Sequence, residues 1–170
     1  MDLYTLIRDI PDFPRKGITF KDITPLLKNN AGFAQALDAM ADPFISEKID
    51  MVVAVGARGY IVGAPLALKL NAGFVPIRKV DKLPFDTHRV KYSLEYGSDT
   101  IEIHQDGLEN GNRVLIVDDI LATGGTLDAT VKLVRGTGAE IVGMTILAEI
   151  AGLGGRDRLQ GHHLETVLIL

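Results

Sequence analysis

Cysteine is absent from this chain of 170 residues, which excludes disulfide scaffolds, thiolate metal sites and cysteine nucleophiles. A basic excess is absent too, because 18 lysines and arginines stand against 22 aspartates and glutamates, giving a formal net charge of -4. That balance argues against a dedicated nucleic-acid binder. No apolar run is long enough to span a bilayer, and the N-terminal residues lack the long apolar stretch of a signal peptide. We therefore expect a cytoplasmic, enzyme-sized protein.

Apolar runs and helical stretches alternate along the chain. Four short continuous apolar runs are typical of parallel strands buried on both faces, and they cover residues 51–55, 74–77, 113–117 and 141–147. Before and between them, apolar residues recur at helical spacing, as at Phe33, Ala36, Leu37 and Met40 before the first run. This order predicts an α/β protein with a doubly wound, mostly parallel sheet of about five strands.

Three segments depart from that alternation. Residues 1–25 contain Pro11, Pro14 and Gly17 among polar residues and predict a small irregular lobe. Residues 79–87 are polar and predict a loop, whereas residues 92–103 predict a β-hairpin with its turn at Gly97 and Ser98. No linker divides the chain, so we expect one domain over residues 1–170.

The segment richest in chemistry is residues 113–126, RVLIVDDILATGGT. Its apolar run ends in Asp118 and Asp119, and a short loop from Ala122 to Thr126 then begins a helix. Ligands of open α/β sheets bind at the carboxyl ends of the strands. Glycines let main-chain N–H groups approach an anion, and a helix N-terminus adds partial positive charge. The loop therefore predicts a phosphate site, to which the threonine hydroxyls can also donate.

The two carboxylates beside the loop require a different ligand group, because like charges repel. They favour hydroxyl groups or a divalent cation, and a ribose 5-phosphate offers both a diol and a phosphate. In the alternative interpretation, the carboxylates cap a helix and the glycines only form a turn, which leaves two adjacent carboxylates without partners at a cost in free energy.

The segment lacks both the lysine of a Walker loop and the G-x-G-x-x-G dinucleotide pattern. Neither of those two nucleotide-binding motifs is therefore predicted here.

This segment resembles the 5-phosphoribosyl 1-diphosphate (PRPP) motif of the type I phosphoribosyltransferases. Three further segments, at residues 12–25, 78–84 and 92–97, resemble the adenine phosphoribosyltransferases, and the similarity runs from about Leu6 to Leu159. The resemblance implies purine salvage, in which adenine and PRPP give AMP and pyrophosphate with Mg2+ as cofactor. It also implies a cytoplasmic homodimer of the type I fold, with a hood at residues 1–25 and a flexible loop and hairpin flap at residues 79–104.

The same resemblance implies a role for individual residues. Asp118 and Asp119 should hold the ribose hydroxyls, directly or through Mg2+. The residues implied for the 5-phosphate are Ala122, Thr123, Gly124, Gly125 and Thr126. Those implied for pyrophosphate are Gly56, Ala57, Arg58, Lys79 and Lys82. Those implied for adenine are Thr19, Phe20, Lys21, Ile120 and Ile150, with the ring of Phe20 stacked on the base.

Glu95 matches the family's hairpin glutamate over the reaction centre, and Tyr96 matches the tyrosine beside it on the flap. With Asp118 and Asp119, Glu95 forms the implied catalytic group. Two positions depart from the family, since Gly56 stands where an acidic residue usually precedes Ala-Arg-Gly and Ala54 replaces a usual glycine. The resemblance further implies a cis peptide bond between Gly56 and Ala57.

Two other functions remain open at this point. The chain could transfer phosphoribose to guanine, hypoxanthine or xanthine, although no side chain suited to a 6-oxo group is evident. It could instead be a PRPP-binding regulator with weakened catalysis, a hypothesis that only Gly56 favours. A regulator of DNA would need a basic module, for which the chain has no spare length.

Overall fold

The structure, a computed structural model, describes residues 1–94 and 97–170 and divides the chain into two compact units, Met1–Ala39 and Met40–Leu170. The first unit contains a 3-10 helix at Leu3–Leu6, strands β1 (Arg8–Ile10) and β2 (Phe20–Asp22), helix α1 (Thr24–Lys28) and most of α2 (Asn30–Ala41). β1 and β2 pair antiparallel. The Arg8 guanidinium reaches Asp22 at 2.6 Å, and the Thr24 hydroxyl donates to the same carboxylate at 2.9 Å.

The second unit is built on one seven-stranded sheet. Its elements are a 3-10 helix at Asp42–Phe44, β3 (Met51–Val55), α3 (Arg58–Lys69), β4 (Gly73–Lys79), β5 (Thr87–Leu94), β6 (Gly97–His104), β7 (Arg113–Leu121), α4 (Gly125–Gly136), β8 (Glu140–Glu149), α5 (Gly155–Arg158) and β9 (Leu164–Ile169). The strand order is β5-β6-β4-β3-β7-β8-β9. Five neighbouring strands, β4, β3, β7, β8 and β9, pair in parallel. Beyond β4, the strands β6 and β5 extend the sheet in antiparallel pairing.

Helices cover both faces of this sheet. Val53 and Val55 of β3 belong to the apolar cluster that contains Leu127 and Val131 of α4. On β4, Phe74 alternates with buried Val75, so it points to the opposite face, where its ring meets Tyr60 of α3 edge to face at 5.6 Å. The predicted doubly wound, mostly parallel fold is therefore confirmed. Among the described helices, none has the length and apolarity needed to cross a membrane.

Two boundaries differ from the sequence expectation. Gly97 and Ser98, expected in the hairpin turn, pair with Leu94 and Ser93 and therefore belong to β6. β7 does not stop before the carboxylates but continues to Leu121, because residues beyond Asp119 keep pairing with β8, as Ile120 does with Ala148. The predicted loop at residues 79–87 overlaps the last residue of β4 and the first of β5, and the predicted hood at residues 1–25 stays a prediction.

Candidate functional site

The loop after β7 joins the sheet to the N-terminus of α4. The helix begins at Gly125, and Gly124 caps it with a φ of 77°, a left-handed conformation that glycine adopts readily. The first N–H groups of a helix have no partner within it, and they carry partial positive charge. Residues 122–126 line a cleft of about 200 Å³, which Arg58, Asp118, Asp119 and Ile120 also line. The loop therefore has the geometry of the predicted phosphate site.

Helix α5 packs against this loop through main-chain atoms. A Cβ added to Gly124 would lie 2.8 Å from the Gly155 carbonyl oxygen, too close for any real side chain. Arg158 of α5 donates a long hydrogen bond of 3.4 Å from Nη1 to the Thr123 carbonyl oxygen. Gly124 is thus required both by its backbone conformation and by its closest neighbour.

Asp118 and Asp119 lie beside the loop. Oδ2 of Asp119 is 2.8 Å from Nε of Arg58, and Oδ1 of Asp118 accepts the Asp119 N–H at 2.9 Å. Burial, with the neighbouring Asp119 charge, raises the pKa of Asp118 well above its ordinary value. Burial also raises the pKa of Asp119, although the Arg58 charge opposes the rise. A hydroxyl donor or a cation would relieve the repulsion between these two groups.

The turn between β3 and α3 forms the other end of the site. The peptide bond between Gly56 and Ala57 is cis, as predicted. Both residues, together with Arg58, Lys79 and the acidic pair, line a cleft of about 340 Å³. Lys82 lies against the same turn in an adjoining cleft of about 190 Å³. The residues expected at pyrophosphate therefore come together from two separate parts of the sequence, residues 56–58 and 79–82.

Gly56 has a structural explanation in this chain. A Cβ at Gly56 would lie 2.6 Å from Cζ of Tyr60, so the tyrosine ring fills the space that a side chain at position 56 would take. The Tyr60 hydroxyl donates to the Ile77 carbonyl oxygen at 2.7 Å, which holds the ring in place. Burial raises the pKa of Tyr60, and the hydroxyl stays protonated. No sequence pattern singles out Tyr60, although it stands four residues after Gly56.

Two further residues of the larger cleft were also missed, Tyr92 and Asp99. Asp99 forms an ion pair of 2.8 Å with Lys79, which lowers the pKa of Asp99 and raises that of the lysine. Asp99 stands opposite Tyr92 in the observed register, a position that the predicted turn at Gly97 and Ser98 does not give.

The residues expected around adenine belong to both units. Ile120 lines the phosphate cleft, and Ile150, just after β8, donates its N–H to Leu121 O at 2.9 Å. Thr19, Phe20 and Lys21 belong to the first unit. There, the Phe20 ring meets Phe13 at 5.3 Å, and Lys21 pairs with Asp9 at 2.8 Å. Glu95 and Tyr96 lie outside the described residues.

Known proteins of one family match this chain over nearly its whole length. Residues 19–165 match the phosphoribosyl transferase domain family. The chain is 55% identical over 168 residues to an adenine phosphoribosyltransferase from Rhodopirellula baltica, covering 99% of this chain and 82% of that protein. The crystal structure of the enzyme of that name from Rhodothermus marinus is 50% identical, covers 99% of this chain and 96% of its own, and superposes with a TM-score of 0.95.

A more distant structure contains ligands. The adenine phosphoribosyltransferase of Saccharomyces cerevisiae, complexed with an imino-altritol bisphosphate and adenine, is 37% identical to this chain. It superposes with a TM-score of 0.91 and covers 97% of this chain and 96% of its own. Both structural matches therefore extend over nearly the whole chain.

Proposed function

This chain belongs to the adenine phosphoribosyltransferase family, and from that premise we propose that it transfers the 5-phosphoribosyl group of PRPP to adenine in purine salvage, giving AMP and pyrophosphate. The observation that carries the proposal is the acidic pair of Asp118 and Asp119 near the end of β7, two residues before the glycine loop at the N-terminus of α4. A carboxylate pair for a diol beside a cradle for a phosphate is the recognition set of a ribose 5-phosphate.

The chemistry requires positioning and charge neutralisation rather than a protein nucleophile. As the bond from the anomeric carbon to pyrophosphate breaks, positive charge develops on the sugar and negative charge on the leaving group. Arg58, Lys79 and Lys82 supply cations on the leaving-group side. Fixing the ribose between the carboxylates and the phosphate loop then holds the anomeric carbon for attack by a nitrogen of the base.

Mg2+ fits the residues present. Mg2+ is commonly bound through one or two carboxylates together with substrate phosphate oxygens. Within the described residues, Oδ2 of Asp119 receives the Arg58 ion-pair contact but no hydrogen bond of regular geometry. The same part of the chain contains no cluster of three or more potential ligand side chains. The carboxylate oxygens of Asp118 and Asp119 would hold the ion, directly or through water. A bound Mg2+ would neutralise charge on the diphosphate.

We carry the base site over from the family by position. Thr19, Phe20 and Lys21 would meet adenine through main-chain groups and the Phe20 ring, with Ile120 and Ile150 as apolar walls. Glu95 would stabilise the positive charge of the sugar or accept a proton from the base, and Tyr96 would close beside it. Closure of the hairpin would exclude water, which otherwise hydrolyses PRPP.

We also propose a cytoplasmic homodimer. Its support is an apolar stripe on the outer face of α3, where Ile61 is 42% and Leu68 is 84% exposed. Exposed apolar residues that cluster on one helix face commonly mark an interface. Light scattering should give twice the chain mass of 18.4 kDa, and Leu68→Glu should shift the protein towards the monomer.

One experiment separates the proposal from its alternatives. The protein is incubated with PRPP, Mg2+ and each purine base in turn, and the nucleotides formed are separated by chromatography. We expect AMP from adenine and no product from guanine, hypoxanthine or xanthine. A 6-oxo nucleotide as main product would reassign the base, and PRPP binding with no product from any base would favour a regulator.

A further inference from the structure

A charged side chain, Glu102, is fully buried next to the turn that carries Lys82. It lies on β6 with a relative exposure of 0%. In the sheet register it pairs with Arg78 of β4 on one side and with Arg89 of β5 on the other. Directly opposed residues on neighbouring strands point to the same face of a sheet. Glu102 therefore lies between two arginines at the point where the chain leaves β4 for the turn.

The Glu102 carboxylate holds the main chain of that turn. Oε1 accepts the N–H groups of Lys82 and Leu83, both at 3.0 Å. Oε2 accepts the Thr87 hydroxyl at 3.2 Å and lies 3.1 Å from Nε of Arg89. Because one carboxylate bonds the turn at Lys82 and the start of β5 at Thr87, it fixes both ends of the connection.

Arg78 completes the same arrangement. Its Nη1 donates to the carbonyl oxygen of Lys82 at 3.0 Å. Lys82 is thus held on both sides, with its N–H on Glu102 and its carbonyl on Arg78, while its side chain is left exposed. Asp81, which precedes it, has a φ of 61°, so the turn adopts a conformation that few residues favour.

Burial of a carboxylate costs free energy unless hydrogen bonds and opposite charges compensate it. Burial pushes the pKa of Glu102 upwards, but the N–H groups of Leu83 and Lys82 and the Thr87 hydroxyl outweigh it, and the pKa lies below its ordinary value. The group is therefore ionised at neutral pH. A permanently charged group under a surface turn is a stronger constraint on that turn than neutral hydrogen bonds alone would be.

We propose that Glu102 is a positioning residue for pyrophosphate, because it fixes the main chain from which Lys82 reaches the leaving-group end of the cleft. Long, exposed lysine side chains lose much conformational freedom when they bind an anion. A turn whose main chain is already fixed reduces that loss, and this is the benefit of preorganisation. The inference rests on the proposed function, since it assumes that Lys82 meets pyrophosphate.

The test compares two ligands on the variant Glu102→Gln, which keeps the shape of the side chain and removes its charge. Calorimetry measures the binding of magnesium pyrophosphate and of ribose 5-phosphate. We expect the Kd of pyrophosphate to rise about tenfold and the Kd of ribose 5-phosphate to change by less than about twofold, because the phosphate loop is untouched. An unchanged pyrophosphate Kd, or an equal loss for both ligands, would overturn the proposal.

Two further variants keep the test decisive. Thr87→Val removes one bond to Glu102 at nearly constant volume, and we expect it to weaken pyrophosphate binding about twofold to threefold with ribose 5-phosphate unaffected. If Glu102→Gln does not fold, the Thr87→Val result decides. Asp106→Asn, which removes an exposed carboxylate just beyond β6, is the matched control and should change neither Kd.

Hydrogen exchange separates this inference from the proposed function. In the protein without ligand, the amides of Lys82 and Leu83 should exchange faster in Glu102→Gln than in the parent. Unchanged exchange at both amides would overturn the positioning role. If the parent protein itself fails to bind pyrophosphate, the proposed function is wrong, whereas faster exchange would still show that Glu102 holds the turn.

Discussion

Under the proposed function, the loop at residues 122–126 and the turn that carries Lys82 would bind opposite ends of the substrate, and they offer different groups to an anion. The loop offers main-chain N–H groups at the start of a 12-residue helix and contains no basic side chain. The other end relies on side-chain cations, of which Lys79 and Lys82 are exposed and Arg58 is half-buried.

The difference matches what each end does in the reaction. The 5-phosphate keeps its charge and its place from PRPP to AMP, so a rigid main-chain cradle suits it. Pyrophosphate gains charge as it departs and must then leave, so mobile side chains suit it better. Lys79 illustrates the point, because under the proposed function it would exchange its ion pair with Asp99 for one with pyrophosphate.

The largest expected effect is at the main-chain end. Gly124→Val should abolish PRPP binding, because a Cβ there would lie 2.8 Å from Gly155 O and the φ of 77° is unfavourable for a β-branched residue. Calorimetry with PRPP measures the loss. Gly136→Ala, in the same helix with nothing within 4 Å of the added Cβ, should bind PRPP like the parent. PRPP binding retained by the valine variant would contradict the cradle.

A variant of Glu95 tests the chemical step at the anomeric carbon, which lies between the 5-phosphate and the pyrophosphate of the proposed substrate. Glu95→Gln keeps the shape and removes the charge, and we expect kcat to fall by about 10²–10⁴-fold, the range for a positioned acid or base. The affinity for PRPP should be nearly unchanged. Steady-state rates under conditions where chemistry is limiting give kcat, and Glu109→Gln, at an exposed glutamate beyond β6, is the control. A change in KM alone would move Glu95 from catalysis to uniform substrate binding.

A smaller effect is expected at the side-chain end. Lys82→Gln removes one exposed cation and should weaken pyrophosphate binding about tenfold, the effect of about 1.4 kcal/mol, while ribose 5-phosphate binds as before. Product inhibition by pyrophosphate measures the change. Lys48→Gln, at an exposed lysine before the start of β3 and so at the opposite edge of the sheet, should leave inhibition unaltered. Equal inhibition of the parent and Lys82→Gln would exclude Lys82 from the site.

The smallest effect concerns stability at the acidic pair. Asp118 has its pKa raised by burial and by Asp119. In the unfolded chain it ionises near 3.8, so its contribution to stability is full below that pH and is lost as pH rises towards the folded pKa. At neutral pH, the parent protein has therefore lost free energy of unfolding, because the folded state disfavours the ionised carboxylate. Asp118→Asn has no carboxyl group to ionise and should raise Tm at neutral pH, by about 2–4 °C for each 1 kcal/mol regained. Calorimetric scans should show the gain shrinking towards pH 4, and a lower Tm at neutral pH would contradict it.

Much of the fold could be predicted because its strands are continuous apolar runs. The run at residues 51–55 coincides with β3 (Met51–Val55), and the glycine loop coincides with the start of α4. The end of β7 could not be predicted, because charge at Asp118 and Asp119 suggested a strand end while pairing with β8 carries the strand to Leu121. Local composition does not reveal the pairing of distant residues.

The site shows the same limit. Residues within one segment, such as Asp118 to Thr126, could be found from their order alone. Tyr60 and Glu102 could not, because their importance comes from contacts with Gly56 and with Lys82 that only the folded chain provides. A glutamate in an alternating strand predicts an exposed charge, and only the fold buries it between two arginines.

The central claim, that the two anion sites are built independently, is tested most directly by crossing two variants with two ligands in one calorimetric series. Ribose 5-phosphate and magnesium pyrophosphate are each titrated into Gly124→Val and into Lys82→Gln. We predict that Gly124→Val loses ribose 5-phosphate and keeps pyrophosphate, and that Lys82→Gln binds pyrophosphate about tenfold more weakly and keeps ribose 5-phosphate. Equal losses of both ligands in each variant would contradict the account, since they would mean that a single site, or the fold as a whole, had been damaged.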